Sequence, residues 1–450
     1  MFGFIKRLAG REAPLSISAD PFGREEAPPP SVAPVRAASL REPPAIVLQR
    51  DEIIDAKTRI AGYRFAVCVP ESSRQSDHQA NARATHEVLR ANNVGRFAER
   101  RLALIPLQVQ DWSAFDYQPL IGRHTAFLLD LPASAELAGP WREVAAAIRL
   151  AGARVAMRSL DVMKDRALIR DCVDLLLIDF SAYALRPFER LVKTLKREQP
   201  KLELIVENIR TWPEHRLCVS RGLAYCMGSF STCPDEISPS GEISQGRLAL
   251  IEILNLVRRD ADLEDIAAVA KRDPGVAVKL VAMANSPMLA LSQSVTSIDQ
   301  AIMVLGREQL YRWVSFALFR AGTDSPRDEL LLEIALTRGR FLELVGRSRH
   351  SKLECDELFL LGLLSLLDSL LGISMDRVVE RLNLSDAIRA VLLQSDGPLG
   401  RYLMLAIAAE KGQVDHVGRL AALLLIPLVD IEVASVEALV WAGDAVRSGA

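Results

Sequence analysis

Apolar residues are spaced differently in the two halves of this chain. Before about residue 232, short apolar runs alternate with longer mixed segments; after about residue 240, apolar residues recur every three or four positions. Short apolar runs are typical of buried strands, and spacing of three and four is typical of one face of a helix. The pattern therefore predicts an α/β region followed by an all-α region.

Eight apolar runs in the first region predict strands. They span 45–49, 63–69, 102–107, 125–131, 153–157, 174–179, 202–206 and 223–227. Helical patterns such as 141–152 and 187–199 lie between most of them. Alternation of strands and helices predicts a mostly parallel sheet, and about eight such units favour a closed (β/α) barrel.

The second region predicts ten or more short helices and no convincing strand. Ser297 and Gln300 have the spacing of a capping box, and Pro274 suits the first turn of a helix. The leucine-rich segment Phe359–Gly372 is shorter than the roughly 20 apolar residues that cross a bilayer. Charged residues flank it, so we expect a core helix.

Composition excludes several classes of function. The 450 residues include 55 basic and 57 acidic side chains, a net charge of −2, which gives no overall attraction to nucleic acid or anionic lipid. The six cysteines form no C-x-x-C pair, which predicts reduced thiols and a cytoplasmic location. We expect no cofactor, no nucleic-acid partner and no integral membrane segment.

The same patterns predict where the parts of the chain begin and end. Residues 1–45 hold eight of the 23 prolines, which predicts a disordered Pro/Ala-rich tail. The barrel would then span 46–232 and the helical domain 243–450. The turn-rich residues 233–242 would link them.

Part of the helical region resembles a known family. The segment DLEDIAAVAKRDPGVAVKLVAMANSPMLALSQSVTSIDQAIMVLGREQLYRWV, residues 262–314, is similar to the HDOD domain. HDOD domains are relatives of the HD phosphohydrolases that lack their metal ligands. Where those hydrolases have an adjacent His and Asp, this chain has Ser365 and Leu366. The resemblance implies a non-catalytic helical domain.

The end of the first region resembles the EAL domain, a (β/α) barrel whose active members hydrolyse cyclic di-GMP with two divalent metals. The likeness lies in LIVENIRTWPEHRLCVSRGLAYCMGSFS, residues 204–231. An EAL-type barrel followed by an HDOD domain is a known arrangement. The chain as a whole therefore resembles EAL–HDOD signal transduction proteins, with a degenerate EAL domain.

The EAL domain is called degenerate because of the residues at the positions that match the family's metal and catalytic residues. Most of them hold other residue types, namely Arg64, Pro106, Arg158, Ser159, Leu177, Arg210 and Met227. Asp130 and Glu207 stay acidic. They would pair with Arg64 and Arg158 in a vestigial pocket, or the arginines would contact ligand phosphates; both interpretations are open.

The resemblance implies a function in signalling without catalysis. We expect a catalytically inactive scaffold that acts through protein–protein interactions in cyclic di-GMP-linked signalling, and not an enzyme. The alternatives are a cyclic di-GMP receptor that does not hydrolyse its ligand, and an active phosphodiesterase. The expected partners are other signalling proteins, with cyclic di-GMP and a homodimer left open.

Overall fold

Eight strands close into a barrel in sequential order. They are β1 (Val47–Asp55), β2 (Ile60–Cys68), β3 (Leu102–Leu107), β4 (Thr125–Leu129), β5 (Arg154–Arg158), β6 (Leu175–Asp179), β7 (Glu203–Ile209) and β8 (Tyr225–Gly228). Strands β2 to β8 are parallel, whereas β1 is antiparallel to β2 and β8. The predicted barrel is confirmed. Its first strand differs because a short hairpin turn after Asp55 can join antiparallel strands only.

The computed structural model describes residues 47–68, 78–131, 138–159, 164–233, 235, 243–285, 294–321 and 325–448. These ranges lie in one unit, Ala45–Ala450. The predicted tail and most of the predicted linker lie outside the described residues. The domain boundaries stay a prediction.

Helices cover the outside of the barrel between its strands. They are α1 (His78–Ala91), α2 (Val94–Ala98), α3 (Ala138–Leu150), α4 (Arg166–Cys172), α5 (Leu185–Glu198) and α6 (Trp212–Ser220). Short 3-10 turns span Val109–Asp111, Gln118–Leu120, Phe180–Ala182 and Ser229–Thr232. Thr211 and Glu214 form a capping box that starts α6 directly after β7.

Apolar side chains fill the middle of the barrel. They are Ile53, Leu102, Leu104, Ala126, Leu128, Ala156, Leu175, Leu177, Ile205 and Met227. A closed barrel of eight strands is narrow enough for side chains to fill it, so a ligand can meet this barrel only at its ends or outer surface.

The rest of the described chain is helical, as predicted. Its helices are α7 (Gln245–Arg258), α8 (Leu263–Arg272), α9 (Pro274–Ala284), α10 (Ile298–Arg320), α11 (Pro326–Gly346), α12 (Lys352–Leu364), α13 (Leu367–Leu371), α14 (Met375–Arg381), α15 (Asp386–Gln394), α16 (Pro398–Glu410), α17 (Val414–Leu424) and α18 (Leu428–Ser448). Pro274 starts α9 and Ser297 caps α10, as the sequence predicts. Within the described residues, no helix is both long and apolar enough to cross a membrane.

The leucine-rich segment Phe359–Gly372 lies in the core of the helical region. It forms the end of α12 and all of α13, with a break after Leu364. Gly362 lets α12 approach α11 closely, because a Cβ there would lie 2.5 Å from the Cα of Gly339. The prediction of a buried core helix is confirmed, and it is two helices.

Strand β1 joins the barrel to the helical region. Successive side chains of a strand point to opposite faces, so Ile53 packs inside the barrel while Ile54 belongs to the larger core outside it. On the outer face Arg50 Nη1 donates to the Ser435 carbonyl oxygen of α18 at 3.2 Å. A second contact is the buried ion pair between Arg101, just before β3, and Glu333 of α11.

Candidate ligand site at the barrel mouth

The carboxyl ends of β2 to β7 form one end of the barrel, and enzymes with such barrels place their sites at this end. Charged residues of the strand ends and of β1 gather there. We call this set the barrel mouth; it consists of Asp51, Arg64, Asp130, Arg158, Asp179 and Glu207.

Two arginines of the mouth converge on one carboxylate. Arg158 binds Glu207 through two hydrogen bonds, Nε to Oε1 and Nη2 to Oε2, both at 2.7 Å. Arg64 Nη1 donates to Oε2 of the same Glu207. The structure therefore brings together three of the four site residues predicted from the sequence.

The three side chains differ in their access to solvent. Glu207 is buried with 8% of its side chain exposed, whereas 21% of Arg64 and 44% of Arg158 are exposed. The hydrogen bond to Glu207 raises the pKa of Arg158, against the effect of burial. A buried carboxylate without a partner would be costly, so the arginines stabilise Glu207 in place.

Asp51 of β1 holds Arg64 from its other side. Asp51 and Arg64 are directly opposite in the β1–β2 register. Nε and Nη2 of Arg64 both donate to Asp51 Oδ2, at 3.0 and 2.8 Å. Gln49 Nε2 then donates to Asp51 Oδ1 at 3.0 Å.

Asp130 and Asp179 lie at the mouth outside this network. Asp130 follows β4 with its side chain exposed, and its backbone carbonyl oxygen accepts a hydrogen bond from Trp141 Nε1 at 2.9 Å. Asp179 ends β6 and accepts from the Ser181 backbone N–H at 2.8 Å. Burial raises the pKa of Asp179, but hydrogen bonds from Ser181 and Asn208 outweigh it and lower the pKa.

A local irregularity of β7 follows Glu207. The pairing of β7 with β8 shifts in register between Val206 and Ile209, and Asn208 has a φ of 63°. Such irregularities bend a strand and redirect its side chains, and they are frequent next to functional sites.

The described residues of the mouth do not fit a pair of divalent metals. Among them, no group of three or more His, Cys, Asp or Glu side chains could hold a metal ion. Both oxygens of Glu207 accept from guanidinium groups. Leu177 and Met227 belong to the apolar layer below the mouth and offer no oxygen ligand.

A second arginine–carboxylate centre lies in the helical region. Arg338 of α11 binds Glu410 at the end of α16 through Nε and Nη2, at 2.9 and 2.7 Å. Its Nη1 donates to Ser365 Oγ at 2.8 Å, and only 4% of the Arg338 side chain is exposed. We call Arg338, Glu410 and Ser365 the helical centre.

Glu52 lies on the outer face of β1, next to the helical centre. Glu52 and Glu410 line one small cavity together with Arg50 and Tyr63. Burial raises the pKa of Glu52 to about 7, and the nearby charge of Glu410 adds to the rise. This carboxyl group therefore titrates near neutral pH.

A comparison with protein families identifies part of the helical region. Residues 248–382 match the family model of the HDOD domain. The chain carries an HDOD domain. This match confirms the HDOD part of the resemblance and places Arg338 and Ser365 inside the domain, with Glu410 beyond its matched end.

Two curated relatives match a larger part of the chain. Cyclic di-GMP phosphodiesterase CdgJ of Vibrio cholerae is 26% identical over 272 residues, 60% of this chain and 63% of that protein. Uncharacterized protein YuxH of Bacillus subtilis is 28% identical over 219 residues, 48% of this chain and 53% of that protein. The matches thus span less than two thirds of either relative.

Two of the solved structures that resemble part of this chain are EAL domains. An EAL domain protein from Listeria monocytogenes has 13% identity and a TM-score of 0.35, covering 41% of this chain and 87% of that one. The FimX EAL domain from Pseudomonas aeruginosa, bound to c-di-GMP, has 12% identity and a TM-score of 0.35, covering 42% of this chain and 91% of that one. Because these identities and TM-scores are low, the similarities add no evidence beyond the barrel topology described above.

The prediction that the chain is not an enzyme is wrong. It is overturned by the match to a relative that is named a cyclic di-GMP phosphodiesterase. The prediction rested on substitutions at single positions of the mouth. In the sequence, residues 69–77, 132–137 and 160–163 follow β2, β4 and β5, and they lie outside the described residues.

The sequence did not predict Asp51, Arg338 and Glu410 as members of these two centres. Asp51 was missed because the predicted first strand ends at residue 49, ahead of its charged half. The segment VLQRDEIID does not alternate between apolar and polar residues, so its pattern gave no signal for a strand beyond residue 49. Arg338 and Glu410 gave no signal, because charged residues in helices usually face water.

Proposed function

We propose that this chain works in cyclic di-GMP-linked signalling and that its barrel mouth binds cyclic di-GMP through Arg64 and Arg158. One observation carries the proposal: two guanidinium groups converge on Glu207 at the carboxyl ends of the parallel strands. Guanidinium groups match phosphate oxygens in geometry and charge, and cyclic di-GMP has two phosphodiester groups.

In this proposal Glu207 is an internal competitor of the ligand. A phosphate that approaches from solvent meets Arg158 first, because this arginine is the more exposed. Asp51 keeps Arg64 in place from the opposite side, so its Nη1 stays directed at the mouth. Removing the charge of Glu207 would release both guanidinium groups for the ligand.

The relative named a cyclic di-GMP phosphodiesterase supports the choice of ligand. Hydrolysis is one fate of a dinucleotide bound at the mouth. Binding and cleavage can be separated by titration with and without Mn²⁺, followed by analysis of the ligand for cleavage.

Calorimetric titration of the full chain with cyclic di-GMP tests the proposal. We expect Arg64→Met and Arg158→Met each to weaken binding by about tenfold, since a charge-assisted hydrogen bond is worth about 1.5 kcal/mol or more. Glu207→Gln should tighten binding. The matched control is Arg154→Met, because Arg154 pairs with Glu203 at 2.7 Å on the same two strands, β5 and β7, at the other end of the barrel.

Three results would overturn this binding mode. The first is no binding by the wild-type chain with or without Mn²⁺. The second is an Arg154→Met variant that loses as much affinity as the mouth variants. The third is Mn²⁺-dependent cleavage that Glu207→Gln abolishes and both arginine variants retain, which would favour a metal-bound phosphodiesterase site.

A second candidate function is a scaffold with a protein partner on α18. Val429, Val433 and Val440 form one stripe of this helix and are 60%, 53% and 44% exposed. An exposed aliphatic stripe is typical of a protein contact, and a second copy of the chain is a partner that can be tested directly. Sedimentation should show a dimer that Val433→Glu dissociates. A wild-type monomer at high concentration would contradict this candidate.

A further inference from the structure

Strand β1 contacts the helical region at a second place, through Gln49. Its partner is Gly412, in the turn Lys411–Gln413 between α16 and α17. A Cβ added at Gly412 would lie 2.3 Å from Gln49 Oε1, so the amide side chain packs directly on the glycine. Gly412 has a φ of 62°, which favours glycine here.

Gln49 is also bound to the barrel mouth. Its Nε2 donates to Asp51, which binds Arg64, which binds Glu207. The three links from Gln49 to Glu207 are hydrogen bonds or ion pairs between partly buried groups, and the link from Gln49 to Gly412 is a packing contact. The contact chain therefore runs without a gap from Glu207 of β7 to the turn at Gly412.

The turn is connected to the helical centre as well. Glu410 lies two residues before Gly412, and it holds Arg338 with both of its oxygens. Backbone hydrogen bonds to Ile407 and Ala408 fix the amides of Lys411 and Gln413. A displacement of the turn would therefore act on the end of α16 and on Glu410.

We propose that the turn Lys411–Gln413 reports the state of the barrel mouth to the helical region through the contact chain Glu207–Arg64–Asp51–Gln49–Gly412. When Arg64 leaves Glu207, its hold on Asp51 changes and Gln49 shifts against the glycine. The inference concerns this chain's own contacts and holds for whichever group takes the arginine. It does not rest on cyclic di-GMP as the ligand.

Amide hydrogen exchange of the full chain tests the coupling without any ligand. Glu207→Gln should speed exchange in the turn by about threefold or more, because the far end of the contact chain is released. Glu203→Gln is the matched control, since it breaks the Arg154–Glu203 pair on the same strand without touching β1. Adding Gln49→Ala should remove the effect of Glu207→Gln.

The coupling can also be tested from the turn. Gly412→Ala pushes on Gln49, and we expect faster exchange of the β2 amides around Arg64. Gly372→Ala is the control, because Gly372 has a φ of 66° and nothing within 4 Å of an added Cβ. Both variants place alanine at a positive φ and share the resulting backbone strain. Only Gly412→Ala contacts a member of the contact chain.

The inference fails on any of three outcomes. Glu203→Gln could speed exchange in the turn as much as Glu207→Gln does. The Gln49→Ala background could leave the effect of Glu207→Gln unchanged. Gly412→Ala could leave exchange around Arg64 as it is in Gly372→Ala. If Glu207→Gln unfolds the barrel, Asp51→Asn breaks the contact chain at its middle, at a residue more exposed than Glu207.

Discussion

The barrel mouth and the helical centre both consist of arginine bound to glutamate, and they differ in their access to water. Arg338 is 4% exposed and binds one carboxylate with two hydrogen bonds. At the mouth, Glu207 is buried while its partner Arg158 is 44% exposed. A pair whose arginine is buried fixes the packing around it. A pair with an exposed cation can exchange its partner for a ligand.

The two centres also differ in where their positive charges lie. In the helical region Arg338 places a buried positive charge beside Ser365. The mouth keeps its charges where solvent reaches them. Breaking each pair in turn should therefore affect stability in one region and binding in the other.

The largest effect should come from Arg338→Met. It leaves the partly buried Glu410 without its partner, which costs about 3–5 kcal/mol of unfolding free energy. Urea unfolding of the full chain measures the loss. Replacing both partners, as in Arg338→Met with Glu410→Leu, should recover most of it. A loss no greater than that of Arg158→Met would contradict the distinction between the two centres.

The next largest effect is a pH dependence that originates at Glu52. Its pKa is about 7 in the folded chain against 4.5 for an ordinary glutamate. The folded state keeps a proton that the unfolded state releases, so stability falls as pH rises from 4.5 to 7. The difference corresponds to about 3 kcal/mol at most. The groups that act on Glu52 are Glu410, Arg50 and Asp51.

Urea midpoints of the wild-type chain and Glu52→Gln, measured between about pH 5 and pH 8, check this prediction. The variant should flatten the decline. Asp179 of the mouth is the contrasting control, because its pKa is lowered and its contribution to stability is lost as pH falls instead. A wild-type profile that Glu52→Gln leaves unchanged would show that burial does not hold this proton.

A smaller effect is expected from Arg158→Met. Glu207 keeps its bond to Arg64, and the lost partner is partly exposed, so the free energy of unfolding should fall by only about 1 kcal/mol. Thermal or urea unfolding measures this. A loss of several kcal/mol would mean that Arg158 stabilises the mouth as strongly as Arg338 stabilises the helical centre.

The smallest effect is a difference in salt sensitivity. A double-mutant cycle measures the coupling free energy between Arg158 and Glu207. We expect this energy to weaken by a few tenths of a kcal/mol between about 0.05 and 1 M salt. Coupling of Arg338 and Glu410 should change less, since Arg338 is almost fully buried. Equal salt dependence of the two couplings would remove the comparison.

The sequence predicted the barrel because strands that are buried on both faces form continuous apolar runs. Runs such as 102–107 and 174–179 are continuous and apolar, as strands buried on both faces should be, and they become β3 and β6. Arg50 to Asp55 escaped prediction because β1 has charged residues on both faces, inside the mouth and against the helical region. Its antiparallel direction was missed for the same reason, since no hairpin was recognised.

The candidate site was predicted in part. A resemblance to known barrels pointed to Arg64, Arg158 and Glu207, and the structure brings them together. Asp51 and Gln49 become visible only when β1 is paired with β2. The helical centre depends on Arg338 and Glu410, 72 residues apart, and spacing along one helix carries no information about such a contact.

The arrangement of β1 also bears on how the chain is synthesised. This strand is the first described element to leave the ribosome, and it pairs at once with β2. Its other edge must wait for Cys226 of β8 before the barrel can close. Arg50 finds the Ser435 carbonyl 385 residues later. The earliest strand is thus the last to be completed, and a nascent chain without its helical region would present an unsatisfied, charged β1 to chaperones.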